Sequence, residues 1–597
     1  MTKQLKSFLF ILMFEAAAFI SGAQQLAFPG AEGYGRFASG GRGNGQTGRV
    51  VEVTNLEDDL DHPPEGSLRW AFSQGIEVVV DPILGNISVK RPLTVVFRVG
   101  GVINLKGELR VNRSNMTIAG QTAPGDGICI RGATVNLGGS KNLIVRHLRF
   151  RPGDELGQET SALRIENGGN FIIDHCSMSW AIEETTHFSS NKNITVQWCI
   201  ISESLYNSLH KKGARGYATQ WGGEYASYHH NLLAHHNSRM PRINGSNSND
   251  LEALVDYRNN VNFNWASSGA FYGGEWEGTA GKGFCHTNVV NNYFIPGPAT
   301  PSSLYFARPS YNRSGIQVDG YGKWYVTGNI MEGSEAKTND NWLGVDGSSV
   351  GGIANIRSET MFVKSDGLLE EYARYTETAA VAYLSVLRSA GAILPVRDTI
   401  DRRVIAEAAG EVPVVRYFYT TNDGQVTPDK GVPSGIIDTP VNLVPEDQRE
   451  TRTAWDVYAT SYDAPADTDH DGIPDEWEIS HGLNPEDITD GRIIASNGYS
   501  NLENYLNRQD HITGATAAKR TELFRLYPNP ADDRVFIESD DTILRIEIGD
   551  FSGRIIFSCY HSIGVDGFQT GHLKPGIYLV KGYSATNRLC YQKLIKR

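Results

Sequence analysis

The sequence predicts an all-β chain whose main body is a right-handed parallel β-helix, a solenoid. Three observations predict it. A short motif, a polar pair followed by an apolar, Cys or Asn position inside a β-branched run, returns at Leu148, Cys176, Cys199, Asn231, Asn260, Asn292 and Asn329, in steps of 28, 23, 32, 29, 32 and 37 residues. A second marker, an Asn opening an apolar run, precedes it at Asn115, Asn142, Asn170 and Asn193. The chain carries 64 glycines without a collagen period, and its first half lacks helical periodicity. Short β segments returning at this interval denote coils that bury their apolar faces only by stacking. Asn recurring at one point of each coil suggests a ladder of amides, and Asn tolerates left-handed turn conformations. A sandwich of hairpins would repeat its strands at roughly 8–12 residues.

The solenoid is expected over 24–335. Before it, Lys3 and Lys6, the apolar segments Phe8 to Phe14 and Ala16 to Ile20, interrupted by Glu15, and the small residues Ser21-Gly22-Ala23 read as a signal peptide over 1–23. No later segment is long and apolar enough to span a bilayer. Four of the six cysteines, Cys129, Cys176, Cys199 and Cys285, fall within the repeats and read as small buried residues; none has zinc-ligand spacing. The net charge of −13 argues against a nucleic-acid partner, which demands a basic face.

After Ser334 the pattern changes. Leu368 to Ala390 reads as a helix with its apolar stripe on Leu369, Ala373, Ala380, Tyr383, Leu384 and Leu387, inside an irregular extension over 336–462 that packs on the solenoid. A small acidic module follows over 463–507. Its segment Asp467 to Glu478 places acids at loop positions 1, 3, 5, 9 and 12 and Gly472 at position 6, the arrangement of an EF-hand calcium loop. The expected ligands are Asp467, Asp469, Asp471, Asp475 and Glu478, with helices flanking the loop near Asp475 and around Asn501 to Leu506. A linker over 508–520 leads to an alternating, antiparallel β-sandwich over 521–597.

Polar functional groups are densest between Asp174 and Asn244. The window holds Asp174-His175-Cys176-Ser177, Glu183-Glu184, His210-Lys211-Lys212, Tyr228-His229-His230-Asn231 and Arg239-Met240-Pro241-Arg242. From Leu205 to Gly245 five Lys or Arg accompany one acid, Glu224, a local cationic surface in an acidic chain. Carboxylates on adjacent coils followed by cations could bridge calcium to an anionic substrate. The same residues also have plainer readings: Asp174 as a turn acceptor, Glu183 and Glu184 as solvated charges, the histidines at 229, 230, 235 and 236 as core or groove residues, and Arg239 and Arg242 as surface arginines.

Taken together, the Asp174-His175-Cys176-Ser177, Tyr228-His229-His230-Asn231 and Arg239-Met240-Pro241-Arg242 elements resemble polysaccharide lyase family 1, the pectate lyases. Ala27-Phe28-Pro29-Gly30-Ala31-Glu32-Gly33-Tyr34-Gly35 and Val96-Phe97-Arg98-Val99-Gly100-Gly101 fit the same group, which the chain follows in order from Leu26 to Ser334. The resemblance implies that Asp174 and Glu183 bind calcium, that Arg239 removes the proton, and that a lysine, Lys212 or Lys211, grips the substrate carboxylate. The chain departs from the family pattern at two positions. His187 stands where a second acid is expected four residues after Glu183, with Glu184 a possible substitute. Asn244 stands where a second arginine is expected, with Arg242 a candidate for its substrate-binding role.

The expected function is therefore a secreted or cell-surface lyase that cleaves pectate by calcium-assisted β-elimination. A hydrolase on the same scaffold and a non-catalytic polysaccharide-binding solenoid or adhesin are the alternatives. Leu526-Tyr527-Pro528-Asn529-Pro530 and Leu573 to Val580 resemble a type IX secretion sorting domain, which implies the export machinery as a partner; the enzyme itself is expected to be a monomer.

Overall fold

The computed structural model describes residues 24–596 apart from 44–47, 82–84, 247–249, 268, 277–282, 303–304, 312–319, 365–374, 415–418, 421–425, 428–434, 509–524 and short stretches between 528 and 588. The signal peptide expected over 1–23, and all but the first residue of the expected linker, lie outside the described residues.

The body is a parallel β-helix of three sheets, with 10, 9 and 8 strands among the described residues. Sheet 1 runs from Arg49–Val53 to Lys323–Thr327, sheet 2 from Gly101–Asn104 to Ile330–Met331, and sheet 3 from Leu109–Arg110 to Tyr305–Pro309. Each strand pairs in parallel with its counterpart one coil away, as in the row Asp174, Gln197, His229 and Arg258.

The repeated motif is the two-residue turn from sheet 1 to sheet 2. Its first position is left-handed in coil after coil: φ is 55° at His147, 49° at His175, 53° at Trp198, 55° at His230 and 54° at Asn259. For a residue with a Cβ this costs roughly 1–2 kcal/mol. Ring stacking between successive turns offsets it, at 5.1 Å for His147 on His175 and 4.2 Å for Trp198 on His230.

The second position carries the amide ladder. Asn231 Oδ1 accepts from the Cys199 amide at 2.9 Å, and Asn260, Asn292, Asn329 and Asn341 each accept from the rung before at 3.0, 2.9, 2.9 and 2.7 Å. Their side-chain N–H groups donate to sheet 1 carbonyls, Asn231 to Val196 and Asn260 to Tyr228. Asn suits the place because it supplies an acceptor and donors in one short side chain. Cys176 and Cys199 occupy two rungs as free, buried thiols, and Cys129 and Cys285 are likewise free and buried.

The interior is a continuous apolar column including Leu143, Phe171, Val196, Trp221, Tyr257, Phe271 and Trp324. Burying each such side chain stabilises the stack by about 1.5–3 kcal/mol. Helix Leu68–Ser73, with the Ser67 side chain accepting from the Trp70 amide, closes one end; Trp342, Val345, Val350 and Ile356 close the other.

The outer faces differ. Ala27, Phe28, Ala31 and Ala38 pack on Ile144 and Ile172 of sheet 1, and the acidic module packs on its first strands through Ile473, Leu502 and Leu506. Helices Ala379–Ser389 and Thr399–Ala408 cover sheet 2 at Ile200, Leu232, Val261 and Phe263. Arg149 and Arg151 reach from sheet 2 into this layer and bind Asp398 at 3.1 and 3.0 Å, and Arg151 also binds Asp401 at 2.8 Å. Sheet 3 is the face these segments leave open.

The helix expected from Leu368 begins instead at Ala379 and buries Ala379, Ala382 and Val386; Leu369 and Ala373 lie outside the described residues. The preceding backbone is held by the solenoid, since the Glu377 carbonyl accepts from Asn259 and Asn291. Residues 525–596 carry antiparallel sheets of three and four strands around Leu526, Val535, Ile546, Val580 and Leu594.

Candidate active site and calcium loop

Sheet 3 presents one outward row of register partners: Asn136, Arg164, His187, Gln220, Arg242 and Tyr272. These positions are partly exposed, whereas their strand neighbours Leu163, Thr186, Trp221 and Ile243 point into the core. Beside this row lies a groove lined by Glu159, Arg164, Glu183, Glu184, His187, Lys212, Arg215, Gln220 and Arg239, with Glu108 at its edge. Parallel stacking explains the convergence, because register brings residues 20 to 35 apart in sequence within one strand spacing of about 4.8 Å.

Arg239 enters from the turn before Arg242–Ile243 with φ at 62°, a left-handed conformation uncommon for a long side chain. Its guanidinium lies 4.2 Å over the Tyr217 ring, donates to Glu184, and reaches Gln220 Oε1 at 3.3 Å. Its Nε is buried without a hydrogen-bond partner. Lys212 is exposed on the groove wall, and its ammonium has no ion-pair partner among the described residues.

The groove carboxylates belong to two chains of acids alternating with basic side chains, the first running on to Glu166 beside the groove. In the first, Arg164 binds Glu166 at 2.5 Å, Glu166 lies 3.2 Å from His187, His187 lies 3.7 Å from Glu184, and Glu184 binds Arg239. In the second, Lys211 binds Glu159 at 3.1 Å, Glu159 lies 3.7 Å from His210, His210 bonds Glu183, and Glu183 binds Arg215 at 2.8 Å. The bond from His187, against some burial, holds the Glu166 carboxyl down at about 2. Burial would raise Glu184, but the His187 bond and the Arg239 charge outweigh it and hold it below its ordinary value. The same acids lift His187 above its ordinary value against the penalty of burial.

Of the groove residues nominated from sequence, the fold brings Arg239, Lys212, Glu183 and Glu184 to one groove and places Asp174, Lys211 and Arg242 outside its lining. Asp174 ends a strand of sheet 1 and is fully buried. One oxygen faces Arg146 and His175, each at 2.9 Å, and the other accepts from Gln197 at 2.7 Å. Burial opposes its charge, but His175 and Arg146 hold its carboxyl well below the usual range, in a buried cluster apart from the sheet 3 groove. Lys211 points to Glu159 and does not line the groove. Arg242 is engaged by Asn244 at 2.7 Å and Glu275 at 3.0 Å. The histidines at 229, 230, 235 and 236 are buried; His235 pairs with Glu407 and His236 with Ser204.

A groove calcium on Asp174, Glu183 and Glu184 therefore does not fit. Asp174 is committed elsewhere, and Glu183 and Glu184 belong to different charge chains. Arg164, Arg215 and Gln220 were not nominated from sequence. Arg164 was detectable in principle, since it stands in register with His187 across the 23-residue step that separates Cys176 from Cys199.

The acidic module does fit a cation. Asp467, Asp469 and Asp471 each spend one oxygen on a loop amide, of Gly472, Asp471 and Ile473 respectively. Their other oxygens, both oxygens of Glu478 and Oδ1 of Asp490 are buried with no hydrogen-bond partner. These acids form two overlapping clusters whose candidate ligand atoms lie within 4.8 Å of one another. Burial first, then mutual repulsion, pushes Asp471 up to about 7 and Glu478 up to about 8. Unpaired buried oxygens converging on one point are what a hard cation satisfies.

Asp475 stands apart from these acids. Its carboxylate bonds the Thr468 amide and hydroxyl, both at 2.7 Å, away from the cluster. Asp490, outside the loop, completes the set, and Gly491 lies so close to Asp471 that a Cβ would come within 1.8 Å of its Oδ2. The expected flanking helices are Asp475–His481 and Asn501–Arg508.

Comparison with known proteins finds two families along the chain. The family described as pectate lyase matches residues 106–282, and the family described as secretion system C-terminal sorting domain matches residues 525–597. The probable pectate lyase C of Emericella nidulans is 35% identical over 484 residues, covering 81% of this chain and 92% of that protein. The probable pectate lyase C of Neosartorya fischeri is 32% identical over 500 residues, covering 83% and 97%. Among solved structures, the major allergen from cedar pollen is 16% identical with a TM-score of 0.39, over 60% of this chain and 92% of that one. The fold and these relatives define an enzyme, a polysaccharide lyase built on a parallel β-helix. The chain belongs to the pectate lyase family, and it ends in a secretion system sorting domain.

Proposed function

We propose that the enzyme cleaves pectate, a polygalacturonate, by β-elimination in the sheet 3 groove. The C5–H bond of a galacturonate, α to its carboxylate, breaks as Arg239 takes the proton. The electron pair becomes the C4=C5 double bond, the C4–O bond breaks, and the departing oxygen takes a proton from water, leaving a 4,5-unsaturated sugar. Lys212 meets the substrate carboxylate and stabilises the charge that develops there. A guanidine accepts a proton only in its neutral form, so a rate that climbs through the alkaline range is expected of an arginine base.

The observation that carries this reading is the placement of the Arg239 guanidinium and the unpaired Lys212 ammonium on one open groove. Hydrolysis would require a carboxyl kept protonated beside a second, ionised one. Two groove acids, Glu159 and Glu184, are instead held below their ordinary values by neighbouring hydrogen bonds and charges, which favours elimination.

Calcium belongs in this proposal as a structural ion of the acidic module, held by Asp467, Asp469, Asp471, Glu478 and Asp490, where it would neutralise buried carboxylates. The proposed units are a signal peptide over 1–23, the lyase solenoid over 24–335, its covering extension over 336–462, the calcium module over 463–507, a linker over 508–520 and the sorting domain over 521–597. The product is a monomer that is secreted or displayed at the cell surface. No helix among the described residues is long and apolar enough to cross a membrane.

The test is absorbance in the unsaturated-uronate band during digestion of polygalacturonate. A rise that disappears in Arg239→Ala, with the circular dichroism unchanged, supports the reading. New reducing ends without absorbance would replace it with hydrolysis, and binding without cleavage would replace it with a non-catalytic role.

A further inference from the structure

We infer that the catalytic groove works without a resident calcium ion, its charge being balanced by its own side chains, and that the calcium requirement of this protein resides in the Asp467–Asp490 loop, where the ion fastens the module to the solenoid. The first half rests on the lyase reading above. The second half stands on the loop alone.

In the groove, Glu183 lies between the Arg215 guanidinium and the His210 ring, Glu184 between the Arg239 guanidinium and the His187 ring, and Glu159 between the Lys211 ammonium and the His210 ring. The group with the best metal-like spacing there, Glu159, Glu183 and His210, is held together by His210 itself, which bonds Glu183 and approaches Glu159. For calcium to bind, the imidazole and the Arg215 guanidinium would have to be displaced, and oxygen ligands gathered where nitrogens now stand. Lys212 adds one more positive charge. A divalent cation entering such a site finds its position taken by the His210 ring and the Arg215 guanidinium, and the carboxylate oxygens it needs are already engaged by them.

The loop presents the opposite situation. Six carboxylate oxygens are buried, unpaired and clustered, and Glu478 is 0% exposed. The same loop forms the contact with sheet 1. Ile473 packs against Ala119, and Gly472 is so close that a Cβ would lie 3.0 Å from Val50 and 3.5 Å from Val96. His470 binds Glu52 at 2.8 Å, and Arg98 lies 3.2 Å from Glu52 and 4.0 Å from Asp467. Repulsion among the uncompensated acids therefore acts directly on the docking surface, and an ion that gathers them holds that surface in shape.

The experiment counts bound calcium and separates it from catalysis. Full-length protein purified in calcium is desalted, and its calcium is measured by atomic emission for wild type, Glu183→Gln and Glu478→Gln. One ion, one ion and none per chain are expected, with calorimetric affinity falling by about 100-fold or more in Glu478→Gln. Calcium should raise the melting midpoint of wild type and Glu183→Gln but not of Glu478→Gln. Below the melting transition of chelated wild type, the initial lyase rate in excess chelator should stay within about twofold of that in calcium. A second ion lost in Glu183→Gln would overturn the inference. So would a rate loss of about tenfold or more on chelation with unchanged circular dichroism. If no unsaturated product forms under any condition, the lyase reading fails, while the ion count still decides where calcium sits.

Discussion

The Arg239 guanidinium lies 4.2 Å over the ring of Tyr217, and the Glu184 carboxylate holds it there. The ring fixes the plane of the guanidinium and the carboxylate fixes its rotation about that plane. Arg239→Lys keeps the charge but loses the planar fork, so kcat should fall by about 10²–10⁴-fold with little change in KM. Tyr217→Leu should lower kcat less, by about tenfold, because it loosens the orientation and leaves the base in place. Steady-state kinetics on polygalacturonate separates the two.

Lys212 and Lys211 are neighbours with different fates. Lys212→Ala should cost about tenfold or more in kcat/KM on polygalacturonate, as loss of a charge facing the substrate carboxylate. Lys211→Ala should change it by less than about twofold, since its ammonium pairs with Glu159 at an exposed site outside the groove lining. An equal effect of both substitutions would place the substrate elsewhere.

The Glu166–His187 pair sets a pH window for stability. Glu166 has its folded value depressed to about 2, so its contribution is present above its unfolded value of 4.5 and disappears as pH falls toward 2. His187 has its folded value raised, so its contribution is full below its unfolded value of 6.5 and disappears as pH rises through the higher folded value. The gap in melting midpoint between wild type and His187→Gln should therefore be widest between 4.5 and 6.5 and narrow on both sides. Thermal melts across that range check it.

The joint between sheet 2 and its covering helices depends on buried charge. Asp398 accepts from Arg149, Arg151, the Tyr458 hydroxyl and the Asp401 amide. Asp398→Ala leaves two buried guanidinium groups short of an anion and uncaps helix Thr399–Ala408. Denaturant unfolding should show a loss of about 3–5 kcal/mol.

In the acidic module, Asp490→Asn should weaken calcium binding by about 10–100-fold, while Asp475→Asn should leave it nearly unchanged. Calorimetric titration distinguishes the structural ligand set from the one the loop spacing suggests.

Much of this architecture was legible in the sequence, because a solenoid writes its geometry as a repeat. Asn231, Asn260, Asn292 and Asn329 mark one turn on successive coils, and the same spacing yields the groove once Arg239, Glu184 and Lys212 are assigned to it. What sequence reasoning missed are relations between coils. Asp174 and Glu183 are nine residues apart in sequence, yet Asp174 ends a strand of sheet 1 while Glu183 lies in the bend that leads into sheet 3, and nothing local to Asp174 reveals that Arg146, one coil earlier, claims its charge. Asp475 fits the loop spacing, yet its carboxylate turns back to Thr468. Asp490 falls outside the loop and joins it only through folding.

The amide ladder has a consequence for the ends of the molecule. Each rung satisfies only the next, so the stack contains no signal to stop, and its final rung is taken by Asn341 from the closing segment. Were residues 335–356 removed, three raw strand edges would face solvent in register, an open template for another chain to extend. The terminal plug is thus what keeps a polymerisable motif finite.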